Sequence, residues 1–451
     1  MRTGLITLIA AIVLIMAFRD KEVSPGKSSF SQYADSLFQT NVDSAFIAGA
    51  SILVYQHGDK LLDKSYGFAS LELSAPIPEN ASFEIGSVTK QFTAAAILKL
   101  ADAGKLNLDD DFTKYLKFDT KGKKVTINNL LNHTSGIASY TELNEFWDLS
   151  IESHKRDSLV RLVEKKDFLF EPGEALIYNN SGYFFLGLII EEVSGKSYED
   201  FLQENIFDPL GMNHTYYCST QKVVKGKVYG YNYAPDGLKQ KPYLDHTWPY
   251  AAGSLCSPTE DLLIWMKALH QGKIMKNELY HSLITPGTLA DGTRVRYAKG
   301  LTNSTNFGHQ MIAHGGGIHG FLSETRYFPN EDLYIICLVN TTGPKGAGYF
   351  AEEITWKLLD KIPYQKEKID IDLQAIAGKY QGQGRGRMLS IEVASLDNGL
   401  TILFEGAQTP DTLDTYIGHS TWMKNNDIIT FQPDRCLTDF ISGFYSLEKM
   451  K

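Results

Sequence analysis

Four places in this 451-residue chain carry a serine three residues ahead of a lysine. They are Ser24-Pro25-Gly26-Lys27, Ser87-Val88-Thr89-Lys90, Ser219-Thr220-Gln221-Lys222 and Ser446-Leu447-Glu448-Lys449. A serine hydroxyl is a weak nucleophile and needs a base beside it. A lysine one helical turn away can be that base if burial lowers its pKa. Only Ser87 stands at the start of a long predicted helix, directly after Gly86. Residues i and i+3 share a helix face, so Lys90 would lie beside the Ser87 hydroxyl. The helix N-terminus would also favour negative charge developing there. The competing explanation of the tetrad alone is a helix cap followed by a surface lysine.

Two further groups give Ser87 candidate partners. Tyr178-Asn179-Asn180 is the sole Tyr-x-Asn of the sequence, in a loop after Glu171-Pro172-Gly173 and just before a second helix. Catalytic groups are often carried on loops held by rigid elements. His314-Gly315-Gly316-Gly317 follows a short predicted strand, Met311 to His314. Three glycines in a row strip side chains from a strand edge, so a substrate backbone could approach and pair along it. Each group taken alone could equally be a turn.

The elements that must position these residues follow from periodicity. Ala48 to Tyr55 and Lys60 to Phe68 read as a hairpin around His57-Gly58-Asp59. Helices are predicted over Val88–Ala103, Gly182–Ser194 and Pro258–Gln271, each followed by a glycine. Strands return at Phe321–Phe328 and Leu333–Asn340, and a helix follows over Gly348–Asp360. This order predicts an α/β (α+β) fold in which one antiparallel sheet is built from both ends of the domain, with helices and a helical subdomain against it. Residues 362–372 read as a charged linker. Residues 373–451 read as a small all-β domain of short strands and frequent turns. Within it Gly384-Arg385-Gly386 reads as a bulge or turn, because no βαβ pattern surrounds it.

Together the three motifs resemble the active-site triplet of the serine β-lactamase/penicillin-binding-protein superfamily. The resemblance runs through residues 30 to 360 in the family's order. It includes Leu130-Leu131-Asn132-His133-Thr134-Ser135-Gly136-Ile137, Glu171-Pro172-Gly173, Phe207-Asp208-Pro209-Leu210-Gly211-Met212 and Ala252-Gly253-Ser254-Leu255-Cys256-Ser257. It also includes Ile318-His319-Gly320-Phe321. It is closest to the class C β-lactamase, D-aminopeptidase and carboxylesterase branch. The resemblance implies that Ser87 forms an acyl-enzyme, that Lys90 assists its deprotonation, and that Tyr178 shuttles the proton. Asn180 would hold Lys90 and the substrate amide. The backbone N–H groups of Ser87 and Gly317 would form the oxyanion hole, and His314, Gly315 and Gly316 would line the substrate site. No metal or cofactor is implied.

The third motif departs from the Lys-Thr-Gly of many penicillin-recognising members. His314 replaces a permanent charge by one that is partial near neutral pH, and Gly315 removes a hydroxyl. Ester or D-amino-acyl amide hydrolysis is therefore expected to exceed β-lactam hydrolysis, with acidification recovering part of the β-lactam rate. A true β-lactamase and a non-catalytic penicillin- or peptidoglycan-binding module are the alternatives. The second would be marked by loss of Ser, Lys or Tyr from the triplet, and all three are present. No Gly-x-Ser-x-Gly elbow supports an α/β-hydrolase. His133 and His319 are expected to be structural or surface residues.

Composition sets the remaining bounds. The net charge of -9 and the absence of a basic face argue against a nucleic-acid partner. A small ester, peptide or β-lactam is the partner expected, and no protein partner is implied. Arg2 precedes 14 uncharged residues from Leu5 to Phe18. That pattern predicts a signal peptide, and so an exported, periplasmic or secreted protein. If uncleaved, the same segment would attach the protein to a membrane. Residues 1–29 are assigned to this segment and a polar tether, and residues 30–361 to the hydrolase domain. Cys218, Cys256, Cys337 and Cys436 show no zinc spacing; two could pair in an oxidising compartment, with spacing giving no choice of pair, and isolated free or buried thiols are the simpler expectation.

Overall fold

The computed structural model describes residues 25–219, 223–385, 387–424, 427–440 and 443–450. The predicted signal segment, most of the Ser219–Lys222 tetrad and Ser24 of the first tetrad lie outside these residues.

The central sheet joins the two ends of the first region, as the order of elements implied. Its antiparallel strands run 302–306, 309–318, 321–328, 333–339, 49–56, 59–70 and 75–76. The strand Gly49–Gln56 pairs with Leu333–Val339, from Ala50↔Val339 to Gln56↔Leu333. Both are apolar and β-branched, and both are buried on each face, which suits inner strands.

Two layers cover this sheet. On one face lie the helices Pro25–Asp43 and Ala347–Leu358. Phe38 stacks on Phe350 at 4.4 Å and on Tyr66 at 4.8 Å. The first helix begins inside the stretch expected to be a tether. Proline is tolerated in a helix's first turn, and Phe30, Ala34 and Phe38 recur on one face, so burial extends the helix back to Pro25. On the other face lies the helical subdomain. Its axis is the helix Thr89–Asp102, whose residues from Thr89 to Leu98 are all buried. Around it pack Asn180–Ser194 and Thr259–His270.

Residues beyond the linker form a second, all-antiparallel sheet. Its path runs 411–413, 399–404, 388–396, 378–383, 443–449, 435–440, 427–431, 421–424 and 415–416. Alternate residues Ile391 and Val393, Leu400 and Ile402, Ile429 and Phe431, and Tyr445 and Leu447 point into its own core around Trp422. The sheet curls so that Lys424 near one end forms an ion pair with Asp411 near the other.

This sheet also takes a strand from the first region. Leu176–Ile177 pairs with Gly443–Lys449 through Gly443↔Ile177 and Phe444↔Leu176. Arg296 Nε lies 3.1 Å from Asp439, and Leu437 and Phe444 pack with Leu176, Tyr178, Leu289, Val295 and Tyr297. The strand it recruits is the one that leads directly into Tyr178.

Two cysteines depart from the isolated-thiol expectation. Cys218 and Cys256 form a disulfide, while Cys337 and Cys436 are free and buried. The strand Leu255–Ser257 pairs with Tyr216–Tyr217 through Tyr216↔Cys256, which brings two segments far apart in sequence within bonding reach.

Candidate active site

Ser87 lies in Gly86–Val88, a short 3-10 turn that leads into the helix Thr89–Asp102. Gly86 has φ +50, and a Cβ there would lie 3.0 Å from the backbone of Gly317. Glycine is thus needed both for the backbone conformation and for the close approach of the two chains. The turn is clamped from both sides. Ile85 N–H donates to Leu255 O at 2.9 Å, and the Ser323 hydroxyl donates to Ile85 O at 2.7 Å.

Lys90 is fully buried under this turn. Its ammonium nitrogen lies 3.2 Å from Ser87 Oγ, 2.8 Å from Asn180 Oδ1 and 2.7 Å from Ala252 O. Burial, reinforced by the positive charge of Arg385, holds its pKa well below the ordinary lysine value. The two oxygen acceptors from Asn180 and Ala252 fix the nitrogen while leaving it directed at the serine.

Asn180 is itself fixed at three points. Besides accepting from Lys90, its side-chain amide donates to Thr141 Oγ1 at 3.0 Å and its backbone N–H donates to Ser139 Oγ at 3.2 Å. Asn179 caps the helix Asn180–Ser194 by accepting from Gly182 N–H at 2.9 Å. The Asn179 backbone N–H donates to His133 Nδ1 at 3.1 Å. His133 is buried and held largely neutral, mainly by burial, so Nδ1 can accept this bond. The segment Leu130–Ile137 therefore serves as the cradle of the tyrosine loop. Its carbonyls at His133, Thr134 and Gly136 accept from Ile177, Gly173 and Leu169.

Tyr178 is buried, and its ring lies 4.8 Å from Lys90 Nζ. Its hydroxyl has no hydrogen-bond partner of good geometry among the described residues, though the Ser87 hydroxyl is near enough to act on it. Burial pushes its pKa upward, with Ser87 and Arg385 pulling weakly the other way, so it stays a neutral phenol.

The glycine run lies within the strand His309–Ile318, not after it. A Cβ on Gly316 would fall 2.1 Å from Ile85 O and 2.3 Å from Ser323 Oγ. The neighbouring strand Thr302–Asn306 stops pairing at Ala313, so the edge from His314 to Ile318 is paired on one side only, with Phe321–Phe328. The open edge borders the cavity beside Ser87.

His314 does not provide the partial charge expected of it. It is buried, its Nε2 is 3.0 Å from the Tyr297 hydroxyl, and its Nδ1 is 2.6 Å from Gly315 O. Burial, with the nearby Lys90 charge, lowers its pKa to about 3. The imidazole is neutral across the physiological range, so acidification to pH 5 cannot recruit it as a cation.

Two cavities meet at Ser87. One, of about 480 Å³, is lined by Tyr178, Asn180, Tyr297, His314 and the glycine edge. The other, of about 350 Å³, is lined by Tyr140, Phe146, Trp147, Pro249 and Ile318. Both also include Arg385, from the turn that the sequence presents as a simple bulge. Its guanidinium carbon lies 5.2 Å from the centre of the Tyr178 ring, and its Nε donates to Glu142 Oε1 at 2.7 Å. Ser446 and Lys449 by contrast sit on a strand, where residues three apart face opposite ways. Lys449 donates to Ala375 O.

A sheet of this topology, with a serine, a buried lysine, a tyrosine and an open glycine edge converging at one point, defines the class. The chain belongs to the Beta-lactamase family, whose profile matches residues 34–355. Protein flp of Staphylococcus aureus (strain N315) is 29% identical over 321 residues, covering 68% of this chain and 63% of that protein. Penicillin-binding protein 4* of Bacillus subtilis (strain 168) is 32% identical over 314 residues, covering 65% of this chain and 68% of its own length. The chain thus spans under two thirds of the first of these relatives. Among solved structures, the octameric penicillin-binding protein homologue from Pyrococcus abyssi is 25% identical with a TM-score of 0.66, covering 93% of this chain and all of that one.

Proposed function

We propose that the protein is a class C-like serine hydrolase that works through an acyl-enzyme on Ser87 and cleaves esters or D-amino-acyl amides. The observation that carries this is Lys90, buried, with its pKa held well below the ordinary lysine value and its nitrogen 3.2 Å from Ser87 Oγ. Lys90 takes the hydroxyl proton as Ser87 Oγ attacks the carbonyl carbon. The oxyanion is received by the N–H groups of Ser87 and Gly317. Tyr178, a neutral phenol, gives its proton to the leaving group and is reprotonated with the proton that Lys90 took from Ser87, and water then releases the acyl group by the reverse relay. Each oxyanion donor contributes about 3 kcal/mol in comparable sites.

The open edge from Gly315 to Gly317 suits an extended peptide or amide substrate, which could add to the sheet as a strand. The neutral His314 and the missing hydroxyl at Gly315 support weak β-lactam turnover. The disulfide Cys218–Cys256 fits an exported protein, because such bonds persist in oxidising compartments. Among the described residues no helix is long and apolar enough to cross a membrane.

Rates measured in parallel on p-nitrophenyl acetate, a D-Ala peptide and a cephalosporin test the proposal. Ester or peptide kcat/KM should exceed that of the cephalosporin. A preference for the cephalosporin by orders of magnitude would move the protein to the β-lactamases.

A further inference from the structure

The buried amines and imidazoles around Ser87 are poor cations. Lys90, His133 and His314 are all biased towards their neutral forms by burial. Arg385 is different, since a guanidinium keeps its charge at any physiological pH. It arrives from outside the hydrolase fold, on the turn between the strands Gly378–Gln383 and Met388–Leu396 of the second sheet. It is only half-buried, and it lines both cavities that contain Ser87.

We infer that Arg385 is a specificity-determining residue: it anchors a carboxylate of the substrate beside Ser87, so the second sheet completes the substrate site of the first region. The inference rests on the hydrolase proposal and names its substrate class. Three observations carry it. Glu142 engages Nε, while among the described residues Nη1 and Nη2 have no hydrogen-bond partner. These two nitrogens form the fork that binds a carboxylate bidentately. The Tyr178 ring lies 5.2 Å from the guanidinium carbon and Glu142 holds Nε, so the group is oriented before substrate arrives. The second sheet is also locked in register with the tyrosine loop through Ile177↔Gly443, so Arg385 and Tyr178 are placed by one framework.

The anion could lie on the acyl side, as in an acidic acyl chain, or on the leaving-group side, as in a peptide's terminal carboxylate. Two substrate pairs separate these sources. The first is mono-p-nitrophenyl succinate against its methyl ester. The second is N-acetyl-D-Ala-D-Ala against its C-terminal amide. Each is assayed with the full chain as wild type, Arg385→Lys and Arg385→Ala, at a pH above the acid limb. The wild type should prefer the acid in one pair by at least about tenfold. Arg385→Ala should lose roughly ten- to a hundredfold more on that acid than on its neutral partner, the scale of one charge-assisted bond. Arg385→Lys should fall between them, because it keeps the charge and loses the fork. Equal losses on acid and neutral partner, or no acid preference in the wild type, would overturn the anchor. Calorimetric titration of Ser87→Ala with N-acetyl-D-Ala-D-Ala and with its amide, and of mono-methyl succinate against dimethyl succinate, reads the anchor without turnover. Acid-selective binding that Arg385→Ala abolishes, in a protein whose wild type hydrolyses nothing, would sink the hydrolase proposal alone. Binding without selectivity for either acid would sink the anchor.

Discussion

Gly316 and the carbonyl of Ile85 are so closely packed that a single carbon added to the glycine would lie 2.1 Å from that oxygen. This contact seats the edge strand against the turn that presents Ser87. Gly316→Ala must push the strand or the turn aside, and neither is a flexible side chain. Overpacking of this kind costs about 1–3 kcal/mol of stability. The larger effect should be on rate, because the Gly317 N–H moves with the strand. We expect kcat/KM for an activated ester to fall at least about a hundredfold with the fold retained, as read by circular dichroism and steady-state kinetics.

Tyr178→Phe should separate activity from stability. The hydroxyl is buried and has no partner of good geometry among the described residues beyond the nearby Ser87 hydroxyl, so removing it costs little hydrogen bonding and relieves a desolvated polar group. The melting temperature should hold or rise. Turnover should fall by about 10²–10⁴, the usual worth of a positioned acid–base group. A large drop in melting temperature would show that the hydroxyl is structural.

The pH profile follows from burial. The base form of Lys90 is favoured by burial and by Arg385, so the acid limb of kcat/KM should lie well below the lysine range. Arg385→Ala removes one of these two influences, raises the Lys90 pKa and should shift that limb to higher pH. His314, at about 3, should add no inflection near 6.5, and the cephalosporin-to-ester rate ratio should not climb on acidification from pH 8 to 5. A ratio that rises through pH 6.5 would return His314 to the role of a substrate-binding cation.

Buried histidines also set the acid stability. His270, which lines neither cavity at Ser87, has its pKa lowered to about 3 by burial and stacks on Tyr327 at 4.2 Å. Its folded pKa lies below its unfolded one of about 6.5. The unfolded chain therefore binds the proton first, and stability is lost as pH falls from about 6.5 towards 3. Thermal melts over that window should slope less steeply in His270→Gln than in the wild type, with ester hydrolysis at neutral pH unchanged.

Much of this was legible in the sequence, for identifiable reasons. The hairpin at His57-Gly58-Asp59, the helices and the late strands announce themselves by period and by turn residues, because local physics decides them. Ser87, Lys90, Tyr178 and Asn180 were legible as motifs with helical or loop context, and the fold brings all four together. What stayed hidden depends on distance in sequence. Arg385 sits in an ordinary Gly-Arg-Gly turn, and nothing local says that this turn of a second sheet closes over Ser87. The pairing of Cys218 with Cys256 needs a strand register that spacing cannot give. The charge of His314 could not be read from residue type, because burial among Tyr297 and Lys90 sets it. The glycine run reads in sequence as following a short strand that ends at His314, whereas it lies inside the longer strand His309–Ile318, against the turn that carries Ser87.

Covalent capture tests the central claim most directly. The full chain is treated with a fluorophosphonate probe and digested, and the labelled peptide is mapped by mass spectrometry, in parallel with Ser87→Ala and Lys90→Ala. The label should fall on Ser87, disappear in Ser87→Ala and form far more slowly in Lys90→Ala. Labelling centred on Ser219 or Ser446, or undiminished labelling of Ser87→Ala, would contradict the account.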